Sequence, residues 1–199
     1  LDIWPLGLLH EVAVTVNLAI PVEVRLRVTS LACEPGVVEH RVGGGPVRAL
    51  SDADARRDLT AAIVLALVPE GGVRVEVESQ APLGSGLGGS STYGAALTTA
   101  LQALQGQHAT GQETVALVRD LEARILGVPT GVQDHWAALR GGVLAVHLAP
   151  GGERVEPLAV DRRWLSERLT VFFTGITHHS GMVNWKVVRR RLDGDDGVT

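Results

Sequence analysis

The chain has 199 residues, 45% of them hydrophobic, and a formal net charge of −4 at pH 7. That length allows one large domain, or one domain with part of another, and the acidic balance argues against a basic nucleic-acid surface. No apolar run is long enough to span a membrane and no secretory leader is read, so neither a membrane nor a nucleic acid is expected as a partner.

Val12 to Ile20 alternates with period two, setting Val12, Val14, Val16, Leu18 and Ile20 on one face of a strand. After Pro21, Val22, Val24, Leu26 and Val28 alternate against Glu23, Arg25 and Arg27, a second strand joined to the first by a tight turn. The lone cysteine, Cys33, permits no disulfide; it reads as a small buried residue, and a reducing cytoplasm is the expected setting. Val37–Val42 reads as a third strand and Gly43–Pro46 as a loop. Ser51 and Asp54 resemble a capping box ahead of a helix carrying Leu59, Ala62, Ile63, Ala66 and Leu67. Pro69 and Gly71-Gly72 end it, and residues 73–78 alternate as another strand.

A glycine-rich turn then runs into a helix with Ala96, Leu97, Ala100, Leu101 and Leu104 on one stripe. Gly84, Gly86, Gly88 and Gly89 fall within six positions, a density that a simple helix cap does not need. Such a turn lets the backbone approach a ligand, and the helix start offers unpaired N–H groups and the positive dipole end, which suits a phosphate. A further helix over about 111–126 buries Leu117, Val118, Leu121 and Ile125. The run Gly127–Gly131 breaks the chain, a short helix starts near Gln133 and stops at Gly141-Gly142, and Val143–Leu148 is a strand. Leu169–Phe173 reads as another strand, and a last helix rich in arginine begins at Gly181, with Arg189–Arg191 as a solvated end. Strands first, then strands and helices mixed, give an α+β class. The chain starts without methionine, inside what reads as an element, as a fragment would.

Three kinds of loop compete for the glycine segment. A Walker loop needs a lysine after its last glycine to reach the outer phosphates. Here Ser90 follows Gly89, and the only lysine is Lys186, so that reading fails. A dinucleotide fingerprint is matched by Gly84, Gly86 and Gly89, but residues 105–110 hold neither the second strand nor the acid it requires. Pro82-Leu83-Gly84-Ser85-Gly86-Leu87-Gly88-Gly89-Ser90-Ser91 instead resembles the second motif of the GHMP kinases, departing from it at Gly89 and Ser91.

The segment from Glu122 to Gly142 resembles the next part of that family, with a helical glutamate, an aspartate at Asp134 opening a helix, and Gly141-Gly142 beyond it. Its Gly-x-Gln-Asp form is most similar to the sugar-kinase branch, heptose 7-phosphate and fucose kinases especially. The resemblance implies a ribosomal protein S5 domain 2-like N-terminal domain, a mixed sheet covered by helices with the glycine loop at its edge. It implies ATP-dependent phosphorylation of a sugar or sugar-phosphate hydroxyl. Asp134 would be the catalytic aspartate, Ser90 and Glu122 the Mg²⁺ ligands, and Pro82, Gly84, Ser85, Gly86, Leu87, Gly88, Gly89, Ser90 and Ser91 the ATP loop. Residues 1–175 would form the ATP-binding domain and 176–199 the start of a C-terminal domain.

Taken singly, Asp134 reads equally as a helix cap, and Glu122 reads better as a solvated residue or a helix partner of Arg119; only their joint order with the glycine loop favours chemistry. Thr174–Gly181 resembles a substrate-side segment of the same branch, with His178 near a usual arginine, or else a turn whose Thr177 and Ser180 cap the last helix. His178-His179 does not read as a metal site. His135 could reach the acceptor pocket, but a partly exposed position is the expectation. Leu1-Asp2-Ile3-Trp4 resembles the tail of the first motif, whose cation would lie upstream, and no third motif is read, so a fragment of this extent is expected to catalyse little. A non-catalytic nucleotide- or sugar-binding module on the same fold stays open, with a dehydrogenase a distant third.

Overall fold

The computed structural model describes residues 2, 10, 12–32, 36–68, 71–81, 84–172, 174–176, 180–195 and 197, without the side chains of 180–184. Cys33, Pro82, Leu83, Phe173, Thr177, His178 and His179 lie outside the described residues, and so do the expectations placed on them.

Two sheets form. In the smaller, β1 (Val14–Leu18), β6 (Val143–His147) and β7 (Arg154–Pro157) run antiparallel in the order β1-β6-β7. The larger has the order β2-β5-β3-β4, from β2 (Val24–Leu31), β3 (Val38–Val42), β4 (Arg48–Leu50) and β5 (Gly72–Ser79). It is mixed, because β3 pairs with β5 in parallel while β2–β5 and β3–β4 are antiparallel. The first two strands are therefore not a hairpin. A turn at Ile20–Val22 does separate them, but β1 finds its partner in β6 and β2 in β5.

The period of two along β1 is real, yet its apolar side is the outer one. Val14, Val16 and Leu18 are exposed, whereas Thr15 and Asn17 turn inward. Two polar contacts explain this. Thr15 Oγ1 donates to Gln133 Oε1 at 2.7 Å, and Asn17 Nδ2 donates to the Gln133 carbonyl at 2.7 Å. β1 thus anchors the start of a helix.

Helix α1 (Leu59–Leu67) is capped by Asp58, whose carboxylate accepts from Ala61 N–H at 3.1 Å. The Ser51–Asp54 pair forms as well, with Asp54 accepting from the Ser51 N–H and hydroxyl, but it shapes the single turn Asp54–Arg56 ahead of α1. Helices α2 (Gly89–Leu104) and α3 (Gly111–Leu126) follow. α3 opens on a capping box in which Thr110 and Glu113 satisfy each other's backbone N–H groups, and it closes on Gly127 at φ +68°. α4 is Gln133–Arg140, ended by Gly141 at φ +64°.

The larger core lies between the β5 sheet and α1, α2 and α3, built on Val73, Val75, Ile63, Leu97, Leu101 and Val118. Each such side chain contributes about 1.5–3 kcal/mol on burial. A second cluster of Val115, Val132, Trp136, Leu144 and Val146 fills the space between α3, α4 and the smaller sheet. α3 borders both, and Glu122 lies on it near the junction.

Three further differences from the sequence reading appear. The glycine loop leaves from β5, an inner strand of its sheet, rather than from a sheet edge. Residues 169–172 form no strand; Leu169, Val171 and Phe172 are exposed, with no ladder to pair with. β4, β7 and the short helix α5 (Arg162–Ser166) were not read from the sequence, since each is brief and polar. The final helix, α6 (Ser180–Leu192), has an exposed end where Arg189 and Arg190 pair with Asp193 and Asp195.

Candidate active site

The loop between β5 and α2 turns through Gly84, Gly86 and Gly88, all at positive φ (+69°, +74° and +67°). Only glycine takes such angles without a steric penalty. Gly88 is the N-cap of α2 and makes no side-chain cap to the first amides of the helix. The chain has a second reason for glycine here. A Cβ on Gly88 would meet Asp134 Cγ at 2.7 Å and Oδ2 at 2.9 Å. The Asp134 side chain thus lies directly on the last residue of the loop, 46 positions earlier in sequence.

Ser90, in the first turn of α2, donates its hydroxyl to Glu122 Oε1 at 2.6 Å, and Ser91 donates to Oε2 at 3.3 Å. Glu122 is 6% exposed, and its Oε2 also lies 2.9 Å from His135 Nε2. Burial alone would raise the Glu122 carboxyl. The contact with His135 and the two serine hydroxyls outweigh it and hold the group below the usual carboxylate range.

Asp134 has the opposite balance. Its side chain is open to solvent on one side, but the surrounding protein removes enough water to raise its carboxyl above the ordinary value. His135 opposes that rise, and the negative charges of Asp2 and Glu122 add to it.

His135 corrects an expectation. It is 1% exposed, not partly exposed, and its ring lies against the buried Glu122 carboxylate. Neighbouring helix positions point about 100° apart, so Asp134 can face the loop while His135 faces inward. The signal was present in the sequence, because Val132, His135, Trp136 and Leu139 have the i, i+3, i+4, i+7 spacing of a buried stripe.

The structure therefore brings Gly84–Ser91, Ser90, Glu122 and Asp134 together. Thr174, Gly175 and Ile176 are exposed. Among the described residues no three His, Cys, Asp or Glu side chains gather as a metal cage. A hydroxyl and one carboxylate, 2.6 Å apart, do match a hard Mg²⁺ that takes its remaining ligands from phosphate and water.

Residues 55–142 match the family described as GHMP kinases N terminal domain, and this stretch belongs to it. The bifunctional fucokinase/GDP-fucose pyrophosphorylase of Arabidopsis thaliana is 32% identical over 131 residues, covering 63% of this chain and 12% of that protein. A D-glycero-D-manno-heptose 1-phosphate kinase from Bacteriodes thetaiotaomicron superposes with a TM-score of 0.68 at 21% identity, over 84% of this chain and 57% of that one. The galactokinase of Lactococcus lactis, solved with galactose, gives 0.62 at 16% identity, over 74% of this chain and 42% of that one. The chain thus spans about an eighth of the curated relative and about half of each solved kinase. The solved kinases share its fold, and the named relatives lie in the sugar-kinase branch.

Proposed function

We propose that this chain is the nucleotide-binding part of an ATP-dependent kinase that phosphorylates a hydroxyl of a sugar or sugar phosphate, acting in the cytoplasm. Residues 1–175 supply the ATP-binding domain, and 176–199 begin a second one. One observation carries the reading: a hydroxyl at Ser90, a buried carboxylate at Glu122 and an open carboxylate at Asp134 meet at the mouth of α2. The names of the relatives, kinases of fucose, heptose phosphate and galactose, favour a sugar as acceptor.

Phosphoryl transfer needs positioning and charge neutralisation more than covalent help from the protein. The backbone N–H groups of Gly84–Ser91 bind the phosphates, and Pro82 is assigned to the same loop by its place in the sequence. Ser90 and Glu122 would hold Mg²⁺, which would supply charge neutralisation at the transferring group. His135 lies against Glu122 Oε2, so Oε1 is the oxygen left beside Ser90. Asp134 accepts the proton of the sugar hydroxyl, or orients that hydroxyl toward the phosphate. Burial raises the Asp134 carboxyl above its usual value, which makes it a better proton acceptor than an ordinary aspartate.

The test is ADP release by the full-length gene product across a panel of sugars and sugar phosphates. The wild type should turn over at least one of them, and Asp134→Asn should lose most of that rate while still binding ATP with magnesium. Magnesium-dependent ATP binding with no ADP release on any acceptor would favour the non-catalytic module. Protection against heat by NAD and not by ATP would favour a dehydrogenase.

A further inference from the structure

The helix that carries Asp134 has no cap of its own. Val132 stands at the N-cap of α4 and makes no side-chain hydrogen bond there. Helix starts leave backbone N–H groups without partners, and something must satisfy them. Here the partner comes from far away in the chain. Asp2 Oδ2 accepts from Val132 N–H at 2.7 Å and from Gln133 N–H at 2.6 Å. The Asp2 carboxylate and carbonyl also crowd Gly131 so closely that a Cβ at 131 would collide with both.

The same turn is gripped from its other side. Thr15 and Asn17 of β1 hold the Gln133 side chain and its carbonyl, each at 2.7 Å. The residue before Asp134 is thus fixed by three side chains, and Gly88 limits Asp134 from the front. Of the three, Asp2 alone bonds the backbone N–H groups that start the helix.

We propose that Asp2 is a positioning residue for Asp134: by closing the first turn of α4 it fixes the helix entry that holds the Asp134 carboxylate against Gly88. The inference rests on the role given to Asp134 above. Without its acceptor oxygen, residues 132–134 lose their anchor, and Asp134 no longer keeps a fixed distance from the loop. Misplacement of a reacting group by about 1 Å costs on the order of a hundredfold in rate. The phosphate loop makes none of these bonds, so its grip on ATP stays.

The full-length gene product and its Asp2→Ala and Asp2→Asn variants test this with two readouts. Backbone hydrogen exchange over 132–135, with β5 and α2 as internal references, reads the capped turn without needing activity. The kcat and KM for ATP, with the accepted sugar, read the consequence. Asp2→Ala should speed exchange over 132–135 by about tenfold or more while the references hold. It should lower kcat by about tenfold to a hundredfold and move KM for ATP by less than about threefold. Asp2→Asn keeps an acceptor oxygen and should restore both readouts to near wild type.

Unchanged exchange in Asp2→Ala would overturn the proposal, as would an asparagine variant no better than alanine. So would a KM for ATP that moves as far as kcat. An Asp2→Ala chain that fails to fold also overturns it, because the residue would then support the whole fold. If the wild type phosphorylates no sugar at all, the kinase reading falls, and the exchange arm alone still decides whether Asp2 holds the turn.

Discussion

Gly88→Ala separates two effects that a glycine can have. The first is conformational: an L-residue at φ +67° pays a left-handed strain of about 1–2 kcal/mol. The second is steric: the new methyl would lie 2.7 Å from Asp134 Cγ, well inside contact distance. Asp134 is exposed and can swing away, so the clash adds little to the stability loss. It is the position of the carboxylate that changes. Gly127→Ala is the control, since Gly127 has φ +68° and nothing within 4 Å of a built Cβ. Both variants should therefore melt lower by similar amounts, about 2–8 °C for a chain of this size. Only Gly88→Ala should lose kcat, by about a hundredfold. The assay is a thermal melt alongside steady-state turnover of the full-length gene product. Equal kcat losses in the two variants, or a Gly88→Ala enzyme with normal kcat, would refute the claim that Asp134 works from its contact with this glycine.

Other perturbations probe the frame. Gly94→Ala in α2 would set a methyl against Val118 Cγ1 of α3, so it should destabilise the fold by about 1–3 kcal/mol in chemical denaturation despite the better helix propensity of alanine. Thr110→Ala breaks the capping box of α3 and should cost about 0.5–2 kcal/mol by the same measurement. Glu122 sits below the usual carboxylate range in the folded chain, so the unfolded state binds its proton more readily. Its contribution to stability is then complete above the unfolded pKa and fades as pH falls through the folded one. Melting temperature followed from neutral to acid pH should accordingly fall less steeply for Glu122→Gln than for wild type; parallel curves would contradict this.

The glycine loop was legible because it carries its own local signal, whereas Glu122 and Asp134 were singled out only by their joint order with it. Gly84, Gly86 and Gly88 announce a turn that no other residue makes cheaply, and all three do take positive φ. Val118, Leu121, Glu122 and Ile125 share one helical stripe, which puts Glu122 on an inward face whether its role is chemical or not. The misreadings come from pairing over distance. Alternation along β1 showed two faces but not which one meets the protein; the hydrogen bonds of Thr15 and Asn17 to a helix more than a hundred residues later decide that. Leu169, Val171 and Phe172 have strand-forming side chains, yet a strand needs a neighbour and none adjoins them. Asp2 stood out only as part of the first motif's tail; its bonds to the backbone N–H groups of Val132 and Gln133 had no sequence signal.

The central claim is that one nucleotide joins the loop to both acids. A crystal structure of the full-length gene product with magnesium and a non-hydrolysable ATP analogue tests it most directly. The account predicts phosphates on the backbone N–H groups of Gly84–Ser91, the metal between Ser90 and Glu122, and Asp134 facing the terminal phosphate. A nucleotide bound elsewhere, or one whose terminal phosphate lies far from Asp134, would contradict it.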